Sequence, residues 1–203
     1  QWFKAGGFIH SQWTAIPVAG NHEFMPPGKD IPRKLSIQWR PQFTLPVEEQ
    51  LDSSLHESVY TVDYQDIRII VLNSNEKREQ QTQYLEEKLK DCNAKWKIVT
   101  CHHSIFSPAS GRDFRFGREE WKPIIDKYEV DLVLNGHDHT YARGHVPVRE
   151  KSGDSNKMGA VYVTSVSGPK QYSLNPKQLD SYKKDGYVVD KTAEQTQFFQ
   201  VIT

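Results

Sequence analysis

The apolar run Val130, Leu132, Val133 and Leu134, broken at Asn135-Gly136 and followed by His137-Asp138-His139, most constrains how this chain can fold. Such a run ending at an Asn-Gly turn reads as a short buried strand. The two histidines then lie just past the strand's carboxyl end, where open α/β sheets place their ligands. The pattern recurs twice. Ile16-Pro17-Val18-Ala19 leads into Gly20-Asn21-His22-Glu23, and Trp96 to Cys101 leads into His102-His103-Ser104. Five of the eight histidines stand at these three strand ends. Imidazole is the commonest metal ligand near neutral pH, so the three loops together point to a metal site.

The rest of the chain alternates strand and helix patterns. Residues 1 to 14 read as a helix tail broken at Gly6-Gly7, and residues 15 to 19 as a strand. Residues 24 to 53 read as a long excursion near the site. Ser58 to Val62 and Ile67 to Leu72 flank a turn and predict a hairpin. Glu76 to Cys92 is the clearest helix, with Tyr84, Leu85 and Leu89 as its apolar stripe. Strand 96–101, a loop over 104–117 and a helix over 118–128 with Trp121, Ile124 and Ile125 inward come next. A strand is expected over 160–166 and a last one over 197–203, with loops or a solvated helix over 150–158 and 170–196. Ligands on strand-end loops between alternating elements imply a layered α/β domain.

Composition narrows the function classes. The 203 residues carry 26 basic and 26 acidic side chains, a formal net charge of zero. That balance gives no signal for nucleic acid, and no apolar run approaches the ~20 residues that span a bilayer. Two cysteines define no disulfide framework. Cys101 adjoins the histidine pair, but strand alternation points it away from His102.

Gly20-Asn21-His22-Glu23, His102-His103-Ser104 and Gly136-His137-Asp138-His139 together resemble the last three motifs of the calcineurin-like metallophosphoesterase superfamily. The longer run Asn135 to Arg143 most resembles its purple acid phosphatase branch. The resemblance covers roughly residues 15 to 170. In the middle motif Ser104 replaces the usual proline of His-x-Pro, which leaves His102 or His103 as the ligand, register favouring His102. The two earlier family motifs, Asp-x-His and Gly-Asp-x-x-Tyr, do not occur: the first aspartate is Asp30, and the Gly153-Asp154 pair lacks the tyrosine. The expectation is therefore an incomplete catalytic domain over 1–203, the C-terminal part of a longer protein that begins upstream of Gln1.

The resemblance implies an α-β-β-α sandwich of mixed sheets, here lacking its N-terminal strands, and a phosphoester hydrolase of acid-phosphatase type. It implies two divalent or trivalent ions, iron, zinc or manganese, with partial or no occupancy in this chain. Asn21, His102 and His137 would hold one ion and His139 the other. His22 would act as general acid, with Glu23 orienting it. His103, Arg112 and Tyr141 are candidates to touch a phosphate-ester or phosphoprotein substrate. An extracytoplasmic setting, secreted or periplasmic, follows from the same likeness. On its own the chain is expected to be inactive and less stable than its parent. The alternative is a degenerate relative that survives as a non-catalytic binding or structural domain.

Overall fold

The computed structural model describes residues 6–25, 33–147 and 158–203. Asp30, the Gly153-Asp154 pair and most of the 150–158 loop lie outside them. The main sheet has seven strands in the order β3-β4-β5-β6-β8-β7-β9. These are β3 Tyr60–Tyr64, β4 Ile67–Leu72, β5 Trp96–Cys101, β6 Leu132–Asn135, β7 Tyr141–Pro147, β8 Met158–Thr164 and β9 Val188–Ala193. The central strands β4, β5, β6 and β8 run parallel. β3 pairs antiparallel on one flank, and β7 and β9 do so on the other. A separate ribbon pairs β1 Phe24–Met25 with β2 Lys34–Leu35. The mixed sheet with helices is the α/β architecture that the residues imply. Among the described residues there is one large sheet and this ribbon.

The β3–β4 hairpin turns at Gln65-Asp66, and Gln65 at φ 51° takes the left-handed backbone that a tight reversal needs. Ile70, Val71 and Leu72 are fully buried, as the both-faces-covered strands of a parallel sheet are. The Arg78–Lys90 helix lays Gln81, Tyr84, Leu85 and Leu89 on this sheet. Gln81 is buried but satisfied: its amide accepts from Asn73 N and donates to Asn73 O, both at 2.8 Å, which fixes the turn after β4. The expected 118–128 helix opens with a π turn, Gly117–Trp121, before Lys122–Lys127. Pro123 lacks an N–H and its ring crowds the carbonyl one turn back, which a widened turn relieves.

Three expectations are corrected. Residues 14–20 form no strand; side chains take their carbonyls instead, Tyr60 Oη donating to Pro17 O at 2.7 Å and Asn75 Nδ2 to Ala19 O at 3.0 Å. Residues 197–203 form no strand either; Phe198 N donates to Val166 O at 2.8 Å and Gln197 Nε2 to Ser167 O at 2.6 Å. The closing strand is β9, inside the stretch expected to be loop. Its outer position on the sheet leaves Val188 to Lys191 exposed, and that solvated pattern hides it from periodicity. No helix among the described residues is long and apolar enough to cross a membrane.

Candidate metal centre

β5 and β6 lie side by side and parallel, with Thr100 opposite Leu134, so their carboxyl ends deliver His102 and His137 to one place. The two loops are tied: Gly136 N donates to His102 O at 3.0 Å, and Ser104 Oγ to Gly136 O at 2.8 Å. Asn135 is buried and bridges the strands, its Nδ2 donating to Cys101 O at 2.9 Å and its Oδ1 accepting from Ile105 N at 3.3 Å. Ser104, in the proline position of the motif, thus serves as a buried crosslink that Thr164 completes at 3.1 Å.

Asn21 arrives from a different part of the chain. Its turn is closed by Glu23, whose N donates to Gly20 O at 3.1 Å and whose Oε2 accepts from Gly20 N at 2.9 Å. Glu23 therefore holds the turn, and its bonded partner is Gly20, not His22. The turn is compact because Gly20 has no side chain.

Three donor atoms meet. His102 Nε2 lies 2.8 Å from Asn21 Oδ1, His137 Nδ1 lies 3.1 Å from the same oxygen, and the two nitrogens are 3.0 Å apart. Among the described residues no three His, Cys, Asp or Glu side chains gather around one point; the third donor here is an amide. Ligand atoms about 2.0–2.1 Å from a tetrahedral ion stand about 3.3 Å from one another, so this triangle has the scale of one face of a coordination shell. Burial first, then the surrounding imidazoles and Arg112, pushes His102 and His137 down to about 3. Both rings are therefore neutral, the state that binds metal. The donor set fits a metal ion.

His139 stands beside the triangle. Its Nδ1 bonds Lys170 O at 2.9 Å, and its ring meets Tyr172 edge-on at 5.0 Å. A histidine donating one N–H to a carbonyl presents the other nitrogen as a lone pair, the usual arrangement behind a metal-bound imidazole. His137 and His139 both have positive φ, 68° and 51°, strained for side-chain-bearing residues and typical of functional loops.

His103 turns aside, Nδ1 bonding Ser74 Oγ at 2.8 Å, with burial and then the Arg78 and Arg112 cations holding it down at about 4. Arg112 donates to His137 Nε2 and, at 3.1 Å, to Tyr172 Oη. Tyr141 packs its ring on Phe198 at 4.9 Å and takes no part in the triangle. His22 is exposed at the rim. The Cys101 thiol is fully buried, and burial pushes it up to about 12, so it is no thiolate ligand.

Sequence reasoning passed over Ser74, Tyr172 and Asp138. Ser74 had a signal, since Asn73-Ser74-Asn75 follows the β4 apolar run as the histidines follow theirs. Tyr172 sits in a polar stretch with no local pattern. Asp138 is 1% exposed, and neither carboxyl oxygen has a hydrogen-bond partner. Burial raises it to about 6. The Ser104 and Ser107 hydroxyls lie near enough to temper that rise, but neither completes a bond to it, Ser104 donating to Gly136 instead.

Comparison with known proteins identifies the family and the fold. The chain is 33% identical over 105 residues to purple acid phosphatase 17 of Arabidopsis thaliana, covering 48% of this chain and 28% of that protein. With purple acid phosphatase 23 of the same plant it shares 25% identity over 179 residues, 83% of this chain and 37% of that protein. An uncharacterized protein of Mycobacterium tuberculosis is 38% identical over 71 residues, 34% of this chain and 13% of that protein. The chain thus spans 13% to 37% of the length of these relatives. The structure of purple acid phosphatase PPD1 from yellow lupin (Lupinus luteus) seeds shares the fold, with TM-score 0.56 and 24% identity over 72% of this chain and 30% of that one. The model for calcineurin-like phosphoesterases matches residues 4–141. A match of that extent means that the chain belongs to the calcineurin-like phosphoesterase family, and purple acid phosphatases are among its relatives there.

Proposed function

We propose that Asn21, His102 and His137 hold one ion of a dinuclear metal centre, that His139 faces the second, and that the centre hydrolyses phosphate esters. Two adjacent ions supply neutralisation of the phosphate oxygens and a water acidic enough to attack near neutral pH. The residues supply the rest. Neutral imidazoles and an amide oxygen suit zinc, iron or manganese over calcium. His22, exposed next to Asn21, donates a proton to the leaving oxygen. Arg112 offers a planar fork of N–H donors suited to phosphate oxygens. The secreted or periplasmic setting expected for such an enzyme rests on its likeness to acid phosphatases.

The observation that supports this reading is the donor triangle of Asn21, His102 and His137, with sides of 2.8, 3.1 and 3.0 Å. One observation favours the alternative of a non-catalytic relative: among the described residues no carboxylate joins the three donors. The test is elemental analysis after dialysis against zinc, iron or manganese, for wild type, Asn21→Ala and His137→Ala, with phenyl phosphate hydrolysis followed in parallel. Wild type should retain metal, each variant should lose affinity at least tenfold, and any turnover should track metal. Metal retention without turnover, in a form that also carries the Asp-x-His and Gly-Asp motifs, would select the alternative. Wild type that retains no metal would end the metal-centre reading and leave the non-catalytic alternative standing.

A further inference from the structure

Two clefts meet at His103. One, of about 330 Å³, is lined by Asn21, Ser74, Arg33 and Arg78; the other, of about 240 Å³, by Arg112 and His137. Neither is of one charge, because Glu76 lines the first, Asp138 the second and Asp113 both. A phosphate oxygen in either is therefore placed by directed N–H donors more than by net charge. The two clefts share three residues. Asp113 is paired with Arg118 at 2.5 Å and Phe114 is apolar, which leaves the His103 ring. That ring lies 4.3 Å from the His137 ring and 5.2 Å from the His102 ring, centroid to centroid, so it borders the donor triangle without joining it.

Ser74 is 2% exposed, on the turn after β4, and its neighbours fix that turn: Asn73 N donates to Gln81 Oε1 at 2.8 Å, and Asn75 Nδ2 to Ala19 O at 3.0 Å. Ser74 Oγ accepts from His103 N at 3.1 Å and lies 2.8 Å from His103 Nδ1. Its hydrogen has no other acceptor among the described residues, so donation to Nδ1 is the arrangement that spends it. A neutral ring that accepts at Nδ1 carries its own hydrogen on Nε2, and a protonated ring carries one there as well. Nε2 of His103 makes no hydrogen bond among the described residues. We propose that Ser74 is a positioning residue: it turns His103 so that Nε2–H donates to a phosphoryl oxygen of the bound ester. The proposal rests on the phosphoesterase reading above and adds an oxygen donor to it. A donor already held by a buried hydroxyl needs no reorientation as charge builds on that oxygen. A serine that merely closed its own turn would bond within it, whereas both Ser74 bonds reach a loop 29 residues away.

The test reads the ring and the ligand separately. Nitrogen NMR of the chain with isotope-labelled histidine, its His103 signals assigned by their loss in His103→Leu, should show Nε2 protonated and Nδ1 bearing a lone pair. Ser74→Ala should blur that distinction, and Ser74→Thr, which keeps the hydroxyl, should restore it. Calorimetry then follows inorganic phosphate binding to the zinc-loaded chain. His103→Leu should bind phosphate about tenfold more weakly, the scale of one hydrogen bond to a charged group. His103→Gln, whose amide N–H replaces Nε2–H, should recover most of that loss. Ser74→Ala should also weaken phosphate, and Ser74→Thr should not. Zinc content should stay at the wild-type value in all four variants, which shows that they are folded. A ring protonated at Nδ1 alone, phosphate affinity unchanged in His103→Leu, or zinc lost along with phosphate in Ser74→Ala overturns the assignment and leaves the metal-site reading standing. Wild type that holds no zinc, or zinc-loaded wild type that binds no phosphate, overturns both.

Discussion

A Cβ built on Gly20 would stand 2.8 Å from Cε1 of His102 and 2.9 Å from Oε2 of Glu23. No real side chain tolerates that approach, so glycine at 20 is what lets the Asn21 turn press against the His102 ring. Gly136 is different: its nearest neighbour would be His102 Nδ1 at 3.8 Å, an ordinary contact. Gly20→Ala should therefore displace His102 from Asn21 and weaken metal binding at least tenfold. Gly136→Ala should bind within about twofold of wild type. Competition against a chelator measures both, and equal losses in the two variants would contradict the packing argument.

Asp138 places an unpartnered carboxylate in the interior, and burial raises it from 3.8 to about 6. At 1.36 kcal/mol per pH unit this is about 3 kcal/mol. The sign follows from the raised folded value: the penalty is absent below about 4 and complete above about 6. Asp138→Asn should thus stabilise the metal-free protein by about 2–3 kcal/mol at pH 7 and by little at pH 4. Urea denaturation at the two values decides it, and a destabilised variant at pH 7 would show that the carboxylate has a partner in solution.

The three half-buried imidazoles act in the opposite sense. Burial and neighbouring charge hold His102 and His137 at about 3 and His103 at about 4, against 6.5 in the unfolded chain. Between those limits the unfolded chain binds more protons, so stability is present near neutrality and is lost as pH falls below about 6.5. Three such groups give a slope of at most about 4 kcal/mol per pH unit, and Asp138 offsets about one of them. The metal-free protein should unfold progressively between pH 6 and 4, and Asp138→Asn should do so more steeply. A flat profile over that range would mean that the rings are already protonated in the fold.

What the sequence revealed was set by locality. His102 and His137 were legible because a buried parallel strand writes a continuous apolar run and its ligand loop follows at once, as with Ile98 to Cys101. Asn21 was legible by motif, although the strand expected before it is an extended segment whose carbonyls are capped by Tyr60 and Asn75. β7 and β9 were not legible: Gly144 and Pro147 interrupt one, and the other faces solvent along most of its length. Nothing local distinguishes Lys170 and Tyr172, which reach His139 and Arg112 only through the tertiary fold. Trp39 and Phe43 look like ordinary apolar residues of a long excursion until the fold sets them in one cleft with His22 and Glu23.

His22 separates the chemical step from metal retention. It is exposed and lies next to Asn21, whose oxygen stands in the donor triangle. In the active, metal-loaded protein His22→Ala should keep full metal content and lose turnover about 10²–10⁴-fold, the usual range for one general acid. The loss should shrink with substrates whose leaving group needs no proton. Elemental analysis showing metal lost along with activity would make His22 a ligand.

Arg112 poses the last test. Its guanidinium, which stays protonated, donates to Nε2 of His137. A neutral ring that accepts at Nε2 carries its hydrogen on Nδ1, the atom 3.1 Å from Asn21 Oδ1. A metal ion needs the Nδ1 lone pair, so loading requires the ring proton to move to Nε2 and Arg112 to withdraw. Arg112→Met removes both the competing donor and a cation from the site. Metal should bind about tenfold more tightly to this variant, while inorganic phosphate, having lost a bidentate partner, should bind more weakly to the loaded protein. Calorimetric titration with zinc and then with phosphate reads the two effects separately. If both ligands weaken together, Arg112 is holding His137 in place, and the competition described here does not operate.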